Sequence, residues 1–390
     1  MTQIAPVLTV LSILAISRAQ AQAAVALTKP DASFPEPFTR VTSLRELPNG
    51  KVIVADLTDK SVQMLDFATG QATKVGREGQ GPGEYALPGG LLAMPKDETW
   101  INDMLGRRFL VVDASGRPIK TVPLPGTGSG GVITVGLNNS RSDQSGRIYF
   151  QAPPFNPTNP EAKSPDSLAI LRWDGAKSTL DTAAWVLGQK ANVSTSGGAQ
   201  TGAIRVMVGG GKVFTPQEGW GVAGDGSIAR VRPNPYQVLW YGPNAGKATV
   251  GPSQPYVPLP VTEADKQEVI EARKKSRPMM VSVTGGPGGQ VRQGNGGANF
   301  QAPPPEFEST KPPFTGNNAV LVTPEGEVWV ARTRPAADKT PSYDVFDQTG
   351  KLTRKVTLNP RSTVLGFGKG TVYVVRTDGE DLQYLERYRR

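Results

Sequence analysis

The sequence predicts an all-β fold, a six-bladed β-propeller of four-stranded antiparallel blades with one helix-containing insertion before blade five. Three observations predict it. A short strand pattern recurs six times, further strand-like segments follow the copies, and 45 glycines and 35 prolines among 390 residues supply turns along the whole chain. A hydrophobic share of 37 % is sufficient for a large core, which argues against a disordered chain.

The recurring segment consists of a turn residue, a polar or charged residue, and then alternating apolar positions rich in Val, Ile, Tyr and Trp. This period-two alternation is typical of a half-buried strand. Because another strand-like stretch precedes each turn, every copy predicts a β-hairpin. The copies are GKVIVAD from Gly50, DETWIND from Asp97, GRIYFQA from Gly146, GSIARVR from Gly226, GEVWVAR from Gly326 and GTVYVVR from Gly370.

A loop, a third strand, a turn and usually a fourth strand follow each copy, which together describe a four-stranded meander. One such blade cannot bury its two apolar faces alone, whereas six blades packed radially bury both. The last copy ends after its third strand, so we expect residues between Val25 and Arg40 to supply the missing outer strand. A pair of β-sandwiches or an open β-solenoid are the alternatives.

Two of the copies continue into ADLTDKSVQMLD (Ala55–Asp66) and NDMLGRRFLVVD (Asn102–Asp113). These segments resemble NHL-type propeller repeats, in which a strand ends in Ala-Asp and is followed by a loop, an Arg, two apolar residues and Phe-Asp. The segment GREGQGPGEY (Gly76–Tyr85) is similar to the joint between blades one and two of bacterial exported six-bladed propellers. The resemblance implies the fold and leaves the ligand open.

Glycine- and proline-rich stretches interrupt the blades. Pro153–Pro165 predicts an extended loop on one rim, and Gly188–Gly211 predicts a small-residue linker into blade four. Gly285–Gly297 is of low complexity, and we expect it to be a mobile linker. It does not predict a phosphate-binding loop, because no Lys-Ser/Thr pair accompanies the glycines.

The largest insertion spans Pro252–Pro313, and Val261–Arg277 within it predicts a helix. Thr262 followed by Asp265 forms a capping signal, and acidic residues in the first turn and basic ones in the last suit the helix dipole. The apolar face is small, so we expect the helix to lie over a propeller face without being buried. It is either a lid over the channel or a surface decoration.

An export signal is predicted for residues 1–23, followed by a single propeller domain over residues 24–390. Pro6–Ile16 is an apolar run of eleven residues, too short to span a bilayer, and two Ala-Gln-Ala sites follow it. A disordered apolar tail is the alternative. The mature protein is therefore expected in the periplasm or outside the cell, without a transmembrane segment and as a monomer.

Cysteine and histidine are both absent, which excludes thiolate chemistry, histidine-based triads and the usual zinc sites. Any catalysis would have to use carboxylates, Lys, Tyr, Arg or a cation held by oxygen ligands. The net charge of +9 is scattered along the chain. Given the export signal, this charge predicts no nucleic-acid partner and allows a loose affinity for anionic envelope polymers.

Propellers place function in the loops that open onto one face and the channel. Seven residues preceding or starting the inner strands are the candidate loop-face binding residues: Asn138, Asn139, Arg141, Glu218, Trp220, Asn317 and Asn318. The leading hypothesis is a non-catalytic scaffold that binds a cell-envelope protein, peptide or glycan, without a cofactor. Asn and Glu oxygens in these loops distantly resemble the gluconolactonase type of propeller, which implies a calcium-dependent lactonase or hydrolase as the alternative. A purely structural envelope protein is a third class.

Overall fold

The computed structural model shows six four-stranded antiparallel blades arranged as a propeller, so the predicted fold class is confirmed. Each of the six recurring segments forms the second strand of its blade. The structure describes residues 23–124, 139–153, 165–188, 192–196, 203–209, 211–244, 246–275, 279–284, 291–295 and 304–390.

Strands are numbered in chain order. Two strands precede the first blade, β1 (Ala23–Leu27) and β2 (Ala32–Ser33). Blade one contains β3 (Val41–Glu46), β4 (Val52–Asp56), β5 (Ser61–Asp66) and β6 (Gln71–Lys74). A joint with β7 (Arg77–Glu78) and β8 (Glu84–Tyr85) leads to blade two, with β9 (Pro88–Ala93), β10 (Thr99–Asp103), β11 (Arg108–Val112) and β12 (Pro118–Pro123). Blade three contains β13 (Arg141–Ser142), β14 (Arg147–Gln151), β15 (Ser167–Asp174) and β16 (Thr179–Leu187).

The second half of the chain adds three blades and an insertion. It begins with β17 (Asn192–Ser196) and β18 (Ala203–Gly209), then blade four with β19 (Gly219–Val222), β20 (Ile228–Pro233), β21 (Tyr236–Tyr241) and β22 (Thr249–Val250). The insertion holds β23 (Leu259–Pro260), helix α1 (Glu263–Lys275), β24 (Met279–Thr284), β25 (Val291–Asn295) and β26 (Thr310–Lys311). Blade five has β27 (Val320–Val322), β28 (Val328–Ala331), β29 (Ser342–Phe346) and β30 (Leu352–Leu358), and blade six has β31 (Ser362–Gly368), β32 (Thr371–Thr377) and β33 (Gln383–Arg389).

The amino-terminal segment closes the ring as predicted. Strand β2 pairs antiparallel with β33 and becomes the outer strand of blade six, with Ala32 opposite Arg387. Phe34 extends this contact, since its N–H donates to the carbonyl of Leu385 at 2.9 Å and its ring is fully buried. An unpredicted addition is β1, which pairs parallel with β30 and gives blade five a fifth strand.

The core lies between neighbouring blades, where each apolar cluster draws side chains from two of them. Trp100 of blade two packs against Trp173 of blade three with ring centroids 6.2 Å apart, and Phe109 stacks on the same Trp173 at 6.3 Å. Buried tyrosines also link blades: the Tyr343 hydroxyl accepts a hydrogen bond from the Val364 N–H at 2.9 Å. Radial packing therefore buries both faces of a blade, as the repeat argument requires.

The segment Gly188–Gly211, predicted to be a linker, instead contributes two strands. Strands β17 and β18 form a hairpin, and β18 pairs with β24 of the insertion, which pairs with β25. The result is a four-stranded sheet in addition to the six blades. The alternation in AIRVMVG and MMVSVT supports these strands, but the surrounding glycines obscured it.

The structure describes only parts of the other segments for which the sequence made predictions. Strand β25 covers residues 291–295 of the Gly285–Gly297 stretch, which was expected to be a mobile linker, whereas residues 285–290 and 296–297 lie outside the described part. Residues 154–164 of the proline-rich loop and residues 1–22 of the predicted signal also lie outside it. Within the described residues, no helix is long and apolar enough to cross a membrane.

Helix α1 begins two residues later than the predicted Val261–Arg277 and is described as far as Lys275, since residues 276–278 lie outside the described part. Its amino terminus carries the predicted capping box. The Thr262 N–H donates to Asp265 Oδ2 at 2.9 Å, and the Asp265 N–H donates to Thr262 Oγ1 at 3.3 Å. Most of its described side chains are exposed, which agrees with a helix lying on the surface.

Candidate functional site

The loop face is the end of the propeller where the second and third strands of each blade are joined and where the chain enters each inner strand. Of the candidates in blade three, Asn138 lies outside the described residues and Asn139 is exposed. Arg141 is the first residue of β13. Its side chain folds back along the chain, and Nη1 donates to the carbonyls of Asn139 at 3.0 Å and Ser140 at 3.1 Å. Burial lowers the pKa of the Arg141 guanidinium.

The carboxylate of Glu218 stands directly before β19, and its oxygens are already occupied. Arg230 Nη2 lies 2.8 Å from the carboxylate, Arg232 Nε lies 3.2 Å from it, and the Leu187 N–H donates to Oε2 at 2.8 Å. The side chain is only 5 % exposed. Glu218 therefore ties blade three to blade four, and two guanidinium groups compensate its charge.

Trp220, on β19, is fully buried between blades three and four, and its Nε1 donates to Gln151 Oε1 at 3.0 Å. Asn317 begins a short 3-10 helix, Asn317–Ala319, just before β27, and Asn318 is exposed there. Within the candidate set, hydrogen bonds between described residues join only Asn139 to Arg141. No group of three acidic side chains that could hold a metal ion is found in the described ranges.

The structure forms a different site on the loop face, a groove with a volume of about 440 Å³. We call it the insertion groove. The hairpin between β20 and β21 forms one wall, and the entry and exit of the insertion form the other. Six prolines line it: Pro216, Pro233, Pro235, Pro258, Pro312 and Pro313.

Backbone pairing holds the two walls together. The Gln254 N–H donates to the Tyr236 carbonyl at 2.7 Å, which attaches the first insertion residues to blade four. Strands β23 and β26 pair antiparallel, with Leu259 opposite Lys311, and so join the entry of the insertion to its exit. The groove is thus a product of the insertion packing against a blade.

Tyr236 and Tyr256, which line the groove, pack against Arg332 behind them. Arg332 lies over the ring of Tyr236 at 4.8 Å and over the ring of Tyr256 at 5.0 Å. Its Nη1 donates to Asp344 Oδ2 at 2.7 Å, and the Tyr236 hydroxyl donates to the same oxygen at 3.0 Å. Burial and the charge of Asp344 raise the pKa of Tyr236 well above its ordinary value, so this hydroxyl remains a proton donor.

A buried ion pair fixes helix α1 beside the groove. Lys311 Nζ lies 2.5 Å from Asp265 Oδ1, and both side chains are at most 3 % exposed. The Ala336 N–H donates to the same Oδ1 at 2.8 Å. Although burial alone would raise it, hydrogen bonds from Lys311, Thr262 and Ala336 lower the pKa of Asp265 to about 2.

Glu308 is a charged residue of the groove that has no counter-ion among the described residues. Its Oε1 accepts a hydrogen bond from Thr215 Oγ1 at 3.0 Å. In the described part of the chain, no Lys or Arg nitrogen forms an ion pair with it, whereas Lys311 and Arg332 each face a carboxylate. The groove is therefore locally acidic in a protein of net charge +9.

Sequence reasoning missed this groove. Its walls come from four stretches of chain, near residues 216, 233–236, 253–258 and 308–313, that only the folded insertion brings together. The proline spacing in PSQPYVPLP is the available signal, because such spacing favours an extended segment with few N–H donors.

Comparisons with known proteins find structural similarity at low sequence identity. No protein-family model and no curated protein matches the chain. Among solved structures, it is similar to a protein of Bacteroides fragilis described as exported (10 % identity, 94 % of this chain and 99 % of that chain, TM-score 0.47). It is also similar to a gluconolactonase from Xanthomonas campestris (11 %, 92 % and 93 %, TM-score 0.44) and to the calcium-binding protein regucalcin from Agrobacterium tumefaciens (10 %, 94 % and 97 %, TM-score 0.43).

Proposed function

We propose that this chain is an exported, non-catalytic propeller that binds a cell-envelope partner at its loop face, over the insertion groove. The observation that supports it is the groove itself: a cavity of about 440 Å³ with an apolar, proline-lined wall and a few polar groups. Its volume lies within the usual range of ligand sites. Val257, which lies in the chain between the lining residues Tyr256 and Pro258, is 82 % exposed and leaves an apolar side chain unburied next to the groove.

The metal-dependent hydrolase is the less favoured function. Glu218, the carboxylate expected to hold calcium, is bound by Arg230 and Arg232, and a cation would have to displace both. Two guanidinium groups beside a site also repel a divalent cation. The expectation that the protein works without a cofactor remains part of the proposal.

A retention assay with two charge-matched variants tests the proposed function. The immobilised mature protein is compared with Val257→Arg, between the groove residues Tyr256 and Pro258, and with Ser115→Arg, on an exposed turn at the opposite end of the strands. Both variants add one positive charge. We expect envelope proteins retained by the wild type and by Ser115→Arg to be lost with Val257→Arg. Equal retention by all three would contradict a loop-face site.

A further inference from the structure

The prolines of the insertion groove supply backbone acceptors without backbone donors. Proline has no N–H, so the six prolines of the walls contribute carbonyl groups only, of which those of Pro312 and Pro313 already accept from Thr333. In the described structure, the backbone of Pro255–Pro258 makes no hydrogen bond to the rest of the fold. A ligand rich in donors, such as the N–H groups of an extended peptide, matches such a surface.

The charge of the groove adds a second preference. Lys311 and Arg332 are neutralised by Asp265 and Asp344, so they offer no free positive charge to an anionic ligand. The half-buried carboxylate of Glu308 accepts a hydrogen bond from Thr215 Oγ1 and forms no ion pair with any Lys or Arg in the described part of the chain. A cationic side chain that reaches this carboxylate would form a charge-assisted hydrogen bond.

A glycan fits the groove less well than a peptide. Sugar rings stack on open aromatic faces, but Tyr236 is only 3 % exposed and Arg332 covers one face of Tyr256. Extended peptides, by contrast, are recognised through main-chain hydrogen bonds together with pockets for side chains. The shape and the donor–acceptor balance therefore both favour a peptide.

We propose, on the basis of the proposed function, that the insertion groove binds an extended peptide segment of a partner protein and that a Lys or Arg of this segment pairs with Glu308. The neutral peptide backbone then donates to the carbonyls of Pro255–Pro258, while the cation sets the specificity.

Calorimetry with three blocked peptides tests the proposal on the mature protein. The probes are acetyl-Gly-Ala-Pro-Ala-Xaa-Ala-Pro-Ala-Gly-amide with Lys, Gln or Glu as Xaa. We expect the Lys peptide to bind roughly tenfold more tightly than the Gln peptide, as one added charge-assisted bond implies. Glu308→Gln should remove this difference, and Glu306→Gln, an exposed neighbour outside the groove, should preserve it.

Three results would overturn the proposal: equal binding of all three peptides, preference for the Glu peptide, or binding of a glucosamine tetramer with none of the peptides bound. These outcomes are separable from failure of the proposed function. If Val257→Arg still loses a partner while no peptide binds, the loop face is the site and the peptide assignment is wrong. If Val257→Arg retains every partner, the loop-face function itself fails.

Discussion

Replacing Asp265 by Asn should release helix α1 and the insertion from the loop face. The substitution leaves the Lys311 ammonium buried without a counter-ion, facing the Arg334 carbonyl at 2.6 Å and a neutral amide oxygen in place of the carboxylate. Breaking a buried pair by removing one partner costs about 3–5 kcal/mol, mainly because the other charge remains uncompensated. The weaker acceptor at position 265 also loosens the cap with Thr262.

Hydrogen exchange is the suitable assay, because the insertion can open without unfolding the blades. A loss of 3 kcal/mol raises the opening constant by roughly 150-fold, so the amides of Glu263–Lys275 should exchange faster by about this factor. Amides of the blade strands serve as the internal control.

A double variant separates the charge effect from simple loss of contacts. Asp265→Asn combined with Lys311→Met leaves no buried charge, so we expect it to be at least about 1 kcal/mol more stable than Asp265→Asn alone. If the double variant costs as much as the two single variants together, the pair is not coupled and the reasoning is refuted. Unchanged exchange in Asp265→Asn would refute it as well.

The remaining predictions concern acid stability, ring closure and metal binding. The pKa of Asp265 is about 2 in the fold and about 3.9 in the unfolded chain, so its ionised form contributes about 2.5 kcal/mol of stability, complete above about pH 5 and lost as pH falls through about 2. Acid titrations of the wild type and Asp265→Asn should converge at low pH, and parallel curves would count against this contribution. Phe34→Ala should lower the free energy of unfolding in urea by about 3–5 kcal/mol, since this buried ring belongs to the segment that closes the ring; a cost below about 1 kcal/mol would contradict that role. Calcium should leave the melting temperature unchanged, because arginines occupy Glu218; a rise reversed by EDTA would restore the hydrolase hypothesis.

The blades were predictable because their information is local. Strands such as Val52–Asp56 and Val328–Ala331 can be recognised in the sequence from the alternation of apolar and polar residues and from the glycine turn before them. Ring closure by Ala32–Ser33 followed from a blade that lacked one strand. Strand Ala23–Leu27 was not foreseen, because its small residues also fit the end of an export signal and its partner, Leu352–Leu358, is distant in sequence.

The candidate site was less predictable, since it depends on how distant segments pack. The sequence places Glu218 at the entry of an inner strand, which suggested a metal ligand. The strand register then brings Arg230 and Arg232 onto its carboxylate. Likewise, Glu308 becomes part of a candidate site only because the fold places it beside the blade-four hairpin, which is about seventy residues away in the chain. Helix α1 illustrates the same difference between local and long-range contacts. Its cap with Thr262 involves residues close in sequence and was predictable, whereas its ion pair with the distant Lys311 was not.

Site-specific photo-crosslinking in cells tests the central claim most directly. A photoreactive amino acid is placed at Val257, beside the insertion groove, or at Ser115, on the opposite end of the propeller. We expect a discrete crosslinked partner from position 257, competed by the Lys peptide, and none from position 115. A partner captured equally from both positions, or from position 115 alone, would contradict a loop-face binding function.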